Sequence, residues 1–318
     1  MDRGMSDEDK SGSAGHKLGQ LVGDWFQDYF AAPLLQEIAS RLELFLDHRT
    51  CVRLPSVRGG KLLWADDDRN EVDYDFVMEL AGSTKARGVP VAFFECFWRR
   101  GSRHSKDKAR DDSGKLMPMR ATYPTARFLG IVAAGEFTGP AQILVRSRMI
   151  HLLYVPKRMI VDSFTDLGLT VDYSDRASEL EKIHVADTFA SAFTRERKLS
   201  VAARLRSMFG RAAIESYLSE VVAALSAPPV EFRIVARHVS TARSFETIEE
   251  VSEFLESSAL KFNFDDPVTE YRYEIAYSNG TVFQRDFSSL DELRLTHGQL
   301  AALSAHMAKV VTSWAVGR

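Results

Sequence analysis

The feature that most constrains the fold is an apolar stretch with a single charge inside it. Residues 91–98 read VAFFECFW, and Glu95 is the only charged residue among them. A run of this kind, bounded by the break at residues 88–90, is typical of a strand that is covered on both faces. A buried carboxylate costs on the order of several kcal/mol unless it is paired or holds a cation. Arg99, on the same face of the strand, is one candidate partner for Glu95.

A second strand is predicted just before this one. Between Val72 and Leu80 apolar residues alternate with acidic ones, the period of two expected of a strand with one buried face. The alternation places four carboxylates on the opposite face: Glu71, Asp73, Asp75 and Glu79. If the two strands pair as a hairpin, Asp73 and Asp75 lie close to Glu95. Carboxylates that converge at a strand end favour Mg²⁺.

Composition excludes several classes of protein. Of the 318 residues 45% are hydrophobic, enough to fill a core, and a net charge of −3 gives no overall sign of nucleic-acid binding. Cys51 and Cys96 are too few for a zinc cluster or a disulfide framework, which indicates a reducing compartment. Neither an apolar stretch of about 20 residues nor an apolar signal core is present, so we expect a cytoplasmic protein without a membrane partner.

Four parts of the chain differ in composition. Residues 1–16, rich in Gly, Ser and charge, are predicted to be disordered. Residues 17–175 begin with a helical stretch to about Asp47, divided at Pro33, and end with strand, helix, strand, helix and a short strand at residues 169–173. Residues 176–226 are a helical basic segment. Residues 227–318 follow a Pro-containing linker and are predicted to form an α+β domain with a terminal helix.

Positive charge is concentrated in two places. Directly after the Glu95 strand, the chain has seven basic residues and only three acidic ones. The basic residues are Arg99, Arg100, Arg103, Lys106, Lys108, Arg110 and Lys115, and His104 lies among them. The second cluster includes Arg195, Arg197 and Lys198. A solvated helix face explains such a run, and so does contact with a phosphate backbone. The DNA contacts we expect are Arg99, Arg100, Arg103, His104, Arg195, Arg197 and Lys198.

The order of these elements resembles the PD-(D/E)XK nuclease superfamily, which includes many type II restriction endonucleases. The resemblance covers roughly residues 17–175 and rests on Asp75 followed by two apolar residues, on Glu95 one strand later, and on the basic helix after it. It implies an α/β fold, in which a restriction-endonuclease-like core with a mixed central sheet flanked by helices precedes a C-terminal helical and α+β region.

The same resemblance implies a catalytic metal site. Asp75 and Glu95 would bind Mg²⁺, with Mn²⁺ as a substitute, and Asp73 or Glu37 would be a further ligand, although Glu37 also fits a solvated helix flank. The family places a lysine two residues after the second acid, where this chain has Phe97. Lys106 or Lys108 from the following helix would replace that lysine, or the site would be inactive.

Three functions remain open at this level. The resemblance implies a metal-dependent endonuclease that hydrolyses DNA phosphodiester bonds, in restriction or phage defence, with a homodimer as a further expectation. The alternative is a catalytically inactive protein of the nuclease fold that binds DNA or acts as a scaffold subunit. A third interpretation is an α/β protein of unrelated function whose carboxylates form buried ion pairs.

Overall fold

The N-terminal helix runs further than its proline suggests. The computed structural model describes residues 14–236, 241–257 and 270–316, so that residues 1–13 of the segment predicted to be disordered lie outside the described residues. Helix α1 (Ala14–Trp25) continues through a π-helical segment (Phe26–Ala31) into α2 (Ala32–Arg41). A proline clashes with the carbonyl four residues earlier in a regular α-helix, and the wider π turn just before Pro33 lets the helix continue instead of dividing.

A five-stranded mixed sheet forms the centre of the protein. The strands of this part of the chain are β1 (Phe45–His48), β2 (Leu63–Ala65), β3 (Glu71–Asp73), β4 (Phe76–Leu80), β5 (Val89–Arg99), β6 (Phe128–Gly135) and β7 (His151–Pro156). The central sheet has the order β1-β4-β5-β6-β7, antiparallel from β1 to β5 and parallel from β5 to β7, while β2 and β3 pair separately. The predicted mixed α/β class is confirmed.

Two details of the predicted strands are wrong. The alternating stretch is divided at Tyr74 and Asp75 into β3 and β4, and Glu79 is fully buried with an ion pair to Arg53 at 2.8 Å instead of lying on a polar face. Phe45–His48, expected at the end of a helix, is edge strand β1, because the free edge of β4 pairs with it. The antiparallel pairing of β4 with β5, in contrast, is confirmed.

Helices cover both faces of the central sheet. On one face lie α3 (Ser105–Thr122), which links β5 to β6, and α4 (Gly139–Ser147), which links β6 to β7. The other face is covered by α1, the π-helical segment and α2, together with α5 (Lys157–Thr165), α6 (Glu179–Ala192), α7 (Arg195–Phe209) and α8 (Arg211–Ser226). The helical segment 176–226 therefore shares its apolar core with residues 17–175. Residues 169–173, predicted as a strand, are irregular, with Leu169 and Val171 buried in that core.

The C-terminal part forms a second sheet on this core. Its elements are β8 (Pro229–Ala236), β9 (Thr241–Phe245), α9 (Ile248–Glu256), β10 (Tyr271–Tyr277), β11 (Val282–Phe287) and α10 (Leu290–Val316), and the antiparallel sheet has the order β11-β10-β8-β9. Tyr277 donates a hydrogen bond to the carbonyl of Pro124 at 3.1 Å, and Leu303, Met307 and Val310 of α10 join the core of the central sheet. Within the described residues, no helix has both the length and the apolar character required to cross a membrane.

Candidate active site

Asp75 and Glu95 lie side by side on the paired strands. Phe76 is opposite Phe94, so the next residues outward, Asp75 and Glu95, face each other where the chain enters β4. One oxygen of Asp75 accepts a hydrogen bond from the backbone N–H of Cys96 at 2.7 Å. Burial raises the pKa of Asp75, while this hydrogen bond and nearby cations oppose the rise. The hairpin therefore brings two carboxylates together, as the sequence predicts.

The π-helical segment supplies the second hydrogen bond to Asp75. The side-chain amide of Gln27 donates to the other oxygen of Asp75 at 3.1 Å. On the same helical stretch, Asp28 accepts two hydrogen bonds of 2.8 Å from Arg49, and Asp24 accepts a third of 2.8 Å. The guanidinium of Arg49 is one of the cations that oppose, without reversing, the rise in the pKa of Asp75. π-helical turns are frequent at functional sites, and here the turn directs an amide onto a candidate metal ligand.

Glu95 is the most strongly perturbed carboxylate of the site. It is only 2% exposed, one of its oxygens accepts a hydrogen bond from Lys115 at 3.0 Å, and its other oxygen is buried without a hydrogen-bond partner among the described residues. Burial, followed by the charges of Asp75 and Asp112, raises the pKa of Glu95 to about 8, and Lys115 opposes this rise. The cation that pairs with Glu95 is thus Lys115, not Arg99.

Helix α3 presents alternating charges to β5. Lys108, Asp112 and Lys115 are separated by four and three residues, which places them on one face of the helix. The ammonium of Lys108 donates to Asp112 at 2.6 Å and lies 5.3 Å from the ring centre of Phe97. Asp112 is fully buried, and its second oxygen has no hydrogen-bond partner in the described part of the chain. This face therefore supplies one carboxylate and two ammonium groups to the site.

The two lysines predicted to replace the missing one are placed differently. Lys106 precedes Lys108 by two residues, which turns it about 200° around the helix, and it is exposed to solvent. Lys108 reaches the site but is held by Asp112, while the lysine that contacts Glu95 is Lys115. The sequence showed Lys115 only as one member of the basic cluster. Its spacing of seven residues from Lys108 was the signal that could have assigned it to the same face.

The structure does not bring the predicted additional metal ligands onto Glu95. Glu37 lies on α2, where its two oxygens pair with Arg41 at 2.9 Å and with Arg206 of α7. Asp73 lies in the small β2–β3 sheet and accepts a hydrogen bond from the backbone N–H of Leu62 at 2.8 Å. Both carboxylates are thus engaged in local structure. Among the described residues, no group of three or more His, Cys, Asp and Glu side chains is arranged to hold a metal ion.

The residues predicted to contact DNA after β5 divide into anchored and exposed side chains. Arg100 pairs with Asp172 at 3.3 Å and Asp175 at 2.8 Å and lies 4.2 Å from the ring centre of Tyr173, so it fastens the segment after α5. Arg103 is exposed, and His104 is an exposed residue with a left-handed backbone (φ 62°) whose ring contacts Asp107 at 3.1 Å. Arg99 is half-buried at the end of β5. Arg99, Arg103 and His104 remain available for a phosphate backbone.

The second basic cluster begins α7, on the other face of the central sheet from α3. Arg195 and Arg197 are exposed. Lys198 is half-buried, with its ammonium 5.3 Å from the ring centre of Phe193 and 5.7 Å from that of Tyr29. Tyr29 belongs to the π-helical segment that also carries Gln27. Lys198 therefore packs against the segment that reaches Asp75.

Comparison with known proteins adds no assignment. No family model matches the chain, and no curated protein matches it. A protein of unknown function with a crystal structure, AF1548, is similar over 58% of this chain and 98% of its own, with 12% sequence identity and a TM-score of 0.28. A TM-score this low supports no inference about fold or function.

Proposed function

We propose that this chain is a metal-dependent endonuclease of the PD-(D/E)XK type, which hydrolyses DNA phosphodiester bonds as restriction or phage-defence enzymes do. The observation that carries the proposal is the buried Glu95, which lies beside Asp75 and is paired with Lys115 from the helix that follows its strand. Two carboxylates and a lysine are the groups that the resemblance requires. In this chain the lysine comes from α3 because Phe97 occupies the usual position.

The donors fit a hard divalent cation. Glu95 has a buried oxygen without a hydrogen-bond partner among the described residues. Its pKa is raised first by burial and then by the charges of Asp75 and Asp112, and Lys115 does not fully offset this rise. Mg²⁺ is commonly held by one or two carboxylates with water in its other positions, and Mn²⁺ accepts the same ligands. Asp75 and Glu95 would hold the ion. When bound, it would polarise the phosphate and lower the pKa of a coordinated water.

Lys115 is suited to charge stabilisation rather than to proton abstraction. Partial burial lowers its pKa, but Glu95, Asp112 and Asp75 raise it more, so the net shift is upward and the side chain stays an ammonium at neutral pH. Its side chain is 43% exposed, so it can contact a phosphate while bonded to Glu95. An ammonium fixed beside the reacting phosphate offsets the charge that develops in the transition state.

The remaining residues orient these groups. The amide of Gln27 and the backbone N–H of Cys96 fix the two oxygens of Asp75, and Asp112 fixes Lys108. Arg99 and Arg103 lie at the end of β5 and just after it, and they would contact the flanking phosphates of a DNA strand. Site geometry that is fixed before substrate binds lowers the cost of reaching the transition state.

A second candidate is a nuclease-fold protein that binds DNA without cleaving it. The observation in its favour is that Asp75 and Glu95 already have protein partners, namely Gln27, Cys96 and Lys115. Carboxylates that already have partners within the chain do not require a metal ion. In this case the basic surface would bind DNA equally well with or without a divalent cation.

A cleavage assay separates the two candidates. Purified protein would be incubated with supercoiled plasmid, linear duplex and single-stranded DNA in Mg²⁺, Mn²⁺ or EDTA, beside Glu95→Gln and Asp75→Asn. We expect cleavage that requires metal and is lost in both variants, because each removes a charged metal ligand while preserving its shape. The non-catalytic candidate would be supported if the wild-type protein cleaves none of the substrates and binds DNA with the same affinity as Glu95→Gln.

A further inference from the structure

A cleft lies at the beginning of β6 and β7, away from Glu95. Its volume is about 550 Å³, within the range of small-molecule sites. Its wall is formed by the end of α3, by α4 and α8, by the residues at the beginning of β6 and β7, and by the turn between β10 and β11. Ile131 is the β6 residue level with Glu95, and Arg127 precedes Ile131 by four residues, a separation of roughly 13 Å along the strand. The cleft is therefore separate from the candidate active site.

Arg127 is a buried cation without an acidic partner in the described part of the chain. It is 8% exposed, one of its terminal nitrogens donates to the carbonyl of Ala227, and its guanidinium lies 4.2 Å from the ring centre of Tyr277. Its Nε is buried with no hydrogen-bond partner among the described residues. Burial of an unpaired charge is costly, and it lowers the pKa of Arg127. An anion in the cleft would supply the missing charge.

Two further arginines line the same cleft. Arg120, at the end of α3, donates to the carbonyl of Met149 at 2.7 Å, and burial is the cause that lowers its pKa. Arg146, on α4, is exposed at the wall and has no ion pair among the described residues. Of the residues that form the described wall, Glu220 is the acid, and it is bonded to His151 at 3.0 Å. Three arginines against one carboxylate leave a formal excess of two positive charges.

We propose that this cleft binds a small phosphorylated ligand, a phosphate monoester or a diphosphate, through Arg120, Arg127 and Arg146. Guanidinium groups bind phosphate oxygens through paired, charge-assisted hydrogen bonds, and a phosphate monoester carries up to two negative charges at neutral pH. The cleft is walled by several elements and has a volume of about 550 Å³, a size that fits a compact ligand. The proposal does not depend on nuclease activity.

Calorimetric titration of the full-length protein with pyrophosphate, in the presence of EDTA, tests the site. The variants are Arg146→Ala and Arg120→Gln, and the matched control is Arg148→Ala, which removes the same charge two residues from Arg146 but outside the cleft wall. Lys115→Ala serves as the control for binding at the candidate active site. Arg146 has no structural partner among the described residues, so its variant is expected to fold normally.

We expect saturable 1:1 binding that weakens at least about tenfold in Arg146→Ala and Arg120→Gln, the loss of one charge-assisted hydrogen bond, and is unchanged in both controls. The proposal would be overturned if the protein does not bind pyrophosphate, or if Arg146→Ala binds it as tightly as wild type. It would also be overturned if Arg148→Ala loses as much affinity for pyrophosphate as Arg146→Ala, or if Lys115→Ala loses affinity. Short oligothymidylate forms a separate arm. If it displaces pyrophosphate and depends more strongly on Arg146, the cleft belongs to a nucleic-acid surface and the small-ligand assignment is overturned.

Discussion

Glu95 and Glu79 are both buried carboxylates of neighbouring strands, but their partners differ. Glu79 pairs with Arg53, whose side chain is only 1% exposed and also pairs with Asp47 at 3.1 Å. That group is closed to solvent and holds together the loop after β1. Glu95 pairs with a lysine that is 43% exposed. A buried acid with an accessible cation can interact with a ligand, whereas a fully enclosed ion pair stabilises structure at best modestly.

Lys115→Ala should lower the rate of DNA cleavage by about 100-fold or more, the size of effect seen when one charge-stabilising donor is removed from an active site. Lys106→Ala, which removes the same charge from the solvent side of α3, should cleave like wild type. The measurement is single-turnover cleavage at saturating Mg²⁺. Equal rates for the two variants would show that the contact of Lys115 with Glu95 has no catalytic role.

His297 should make stability fall on acidification. Its ring is buried, and Nε2 lies 3.2 Å from the carbonyl of Ile248, which can only accept, and 2.9 Å from the hydroxyl of Ser252, which itself donates to that carbonyl. Nε2 therefore carries the hydrogen, and Nδ1 accepts from the hydroxyl of Tyr273 at 2.7 Å. Burial lowers the pKa of His297 below its usual 6.5. Below pH 6.5 the unfolded chain therefore binds a proton that the folded chain does not, so the free energy of unfolding decreases until the pH passes the lowered pKa.

Urea unfolding of wild type and His297→Gln at several pH values between 7.5 and 5 measures this effect. The stability advantage of wild type should shrink as the pH falls, because the variant lacks the titrating ring. Other groups, including His48, whose pKa burial also lowers, contribute equally to both proteins and cancel in the difference. A difference that stays constant with pH would contradict a lowered pKa of His297 in the folded chain.

At the scale of elements, the packing of helix α3 and of the segment after α5 determines which basic side chains remain able to contact a phosphate. The face of α3 that packs on β5 carries Lys108 and Lys115 inward, while Lys106 points outward. The segment at residues 169–175 lacks strand pairing and is fastened by Arg100. A cation used as a structural anchor is not available to a phosphate. The single basic cluster in the sequence is thus divided into groups with different roles.

Arg100→Ala and Arg103→Ala should separate these roles. Arg100→Ala should reduce the free energy of unfolding by about 1 kcal/mol, a modest value because its partner Asp175 is largely exposed to solvent. Arg103→Ala should leave stability unchanged, weaken DNA binding at all sequences and lower the salt dependence by about one phosphate contact. Urea unfolding and fluorescence anisotropy at several salt concentrations are the measurements. The reverse pattern would show that Arg100 contacts DNA.

At the scale of the whole molecule, main-chain carbonyls join the C-terminal sheet to the core. Tyr277 donates to Pro124, Arg127 to Ala227, and Arg285 to Thr122 at 3.1 Å. The apolar residues of α10 join the core cluster that covers the central sheet. These contacts join residues before the predicted boundary at residue 227 to residues at or beyond it. We therefore expect the described parts of the chain to unfold together.

Tyr277→Phe tests this coupling. The change removes a buried hydroxyl that bonds to Pro124 and leaves the ring beneath Arg127, so it should cost about 1–2 kcal/mol of unfolding free energy. Tryptophan fluorescence reports on the core that contains Trp25, and circular dichroism reports on the whole chain. Both should follow one transition that shifts to lower urea. Two separate urea transitions, with only one of them shifted in Tyr277→Phe, would instead indicate separate domains.

The sequence by itself predicted β5 and, on the condition that β4 and β5 pair as a hairpin, the approach of Asp75 to Glu95, although it placed Asp73 there as well. These features depend on a local apolar run and on a strand pairing between neighbours in the chain, and residues that are close in sequence have few ways to pair. It also indicated most helices, because their apolar spacing is a property of each helix alone. It misplaced the strand Phe45–His48, since four residues carry too little pattern to reveal the free edge of β4 that holds them.

Only the tertiary structure decided which lysine contacts Glu95 and which carboxylates stay local. Lys115 lies 20 residues after Glu95, and each residue of a helix turns about 100° around its axis. The contact therefore depends on how α3 crosses and rotates over β5, and this follows from packing Ala109, Leu116 and Met119 into the core. Burial of Glu79 and pairing of Glu37 with Arg206 likewise required layers that meet only in the folded chain. Charge in a sequence shows which residues can pair, and packing decides which pairs form.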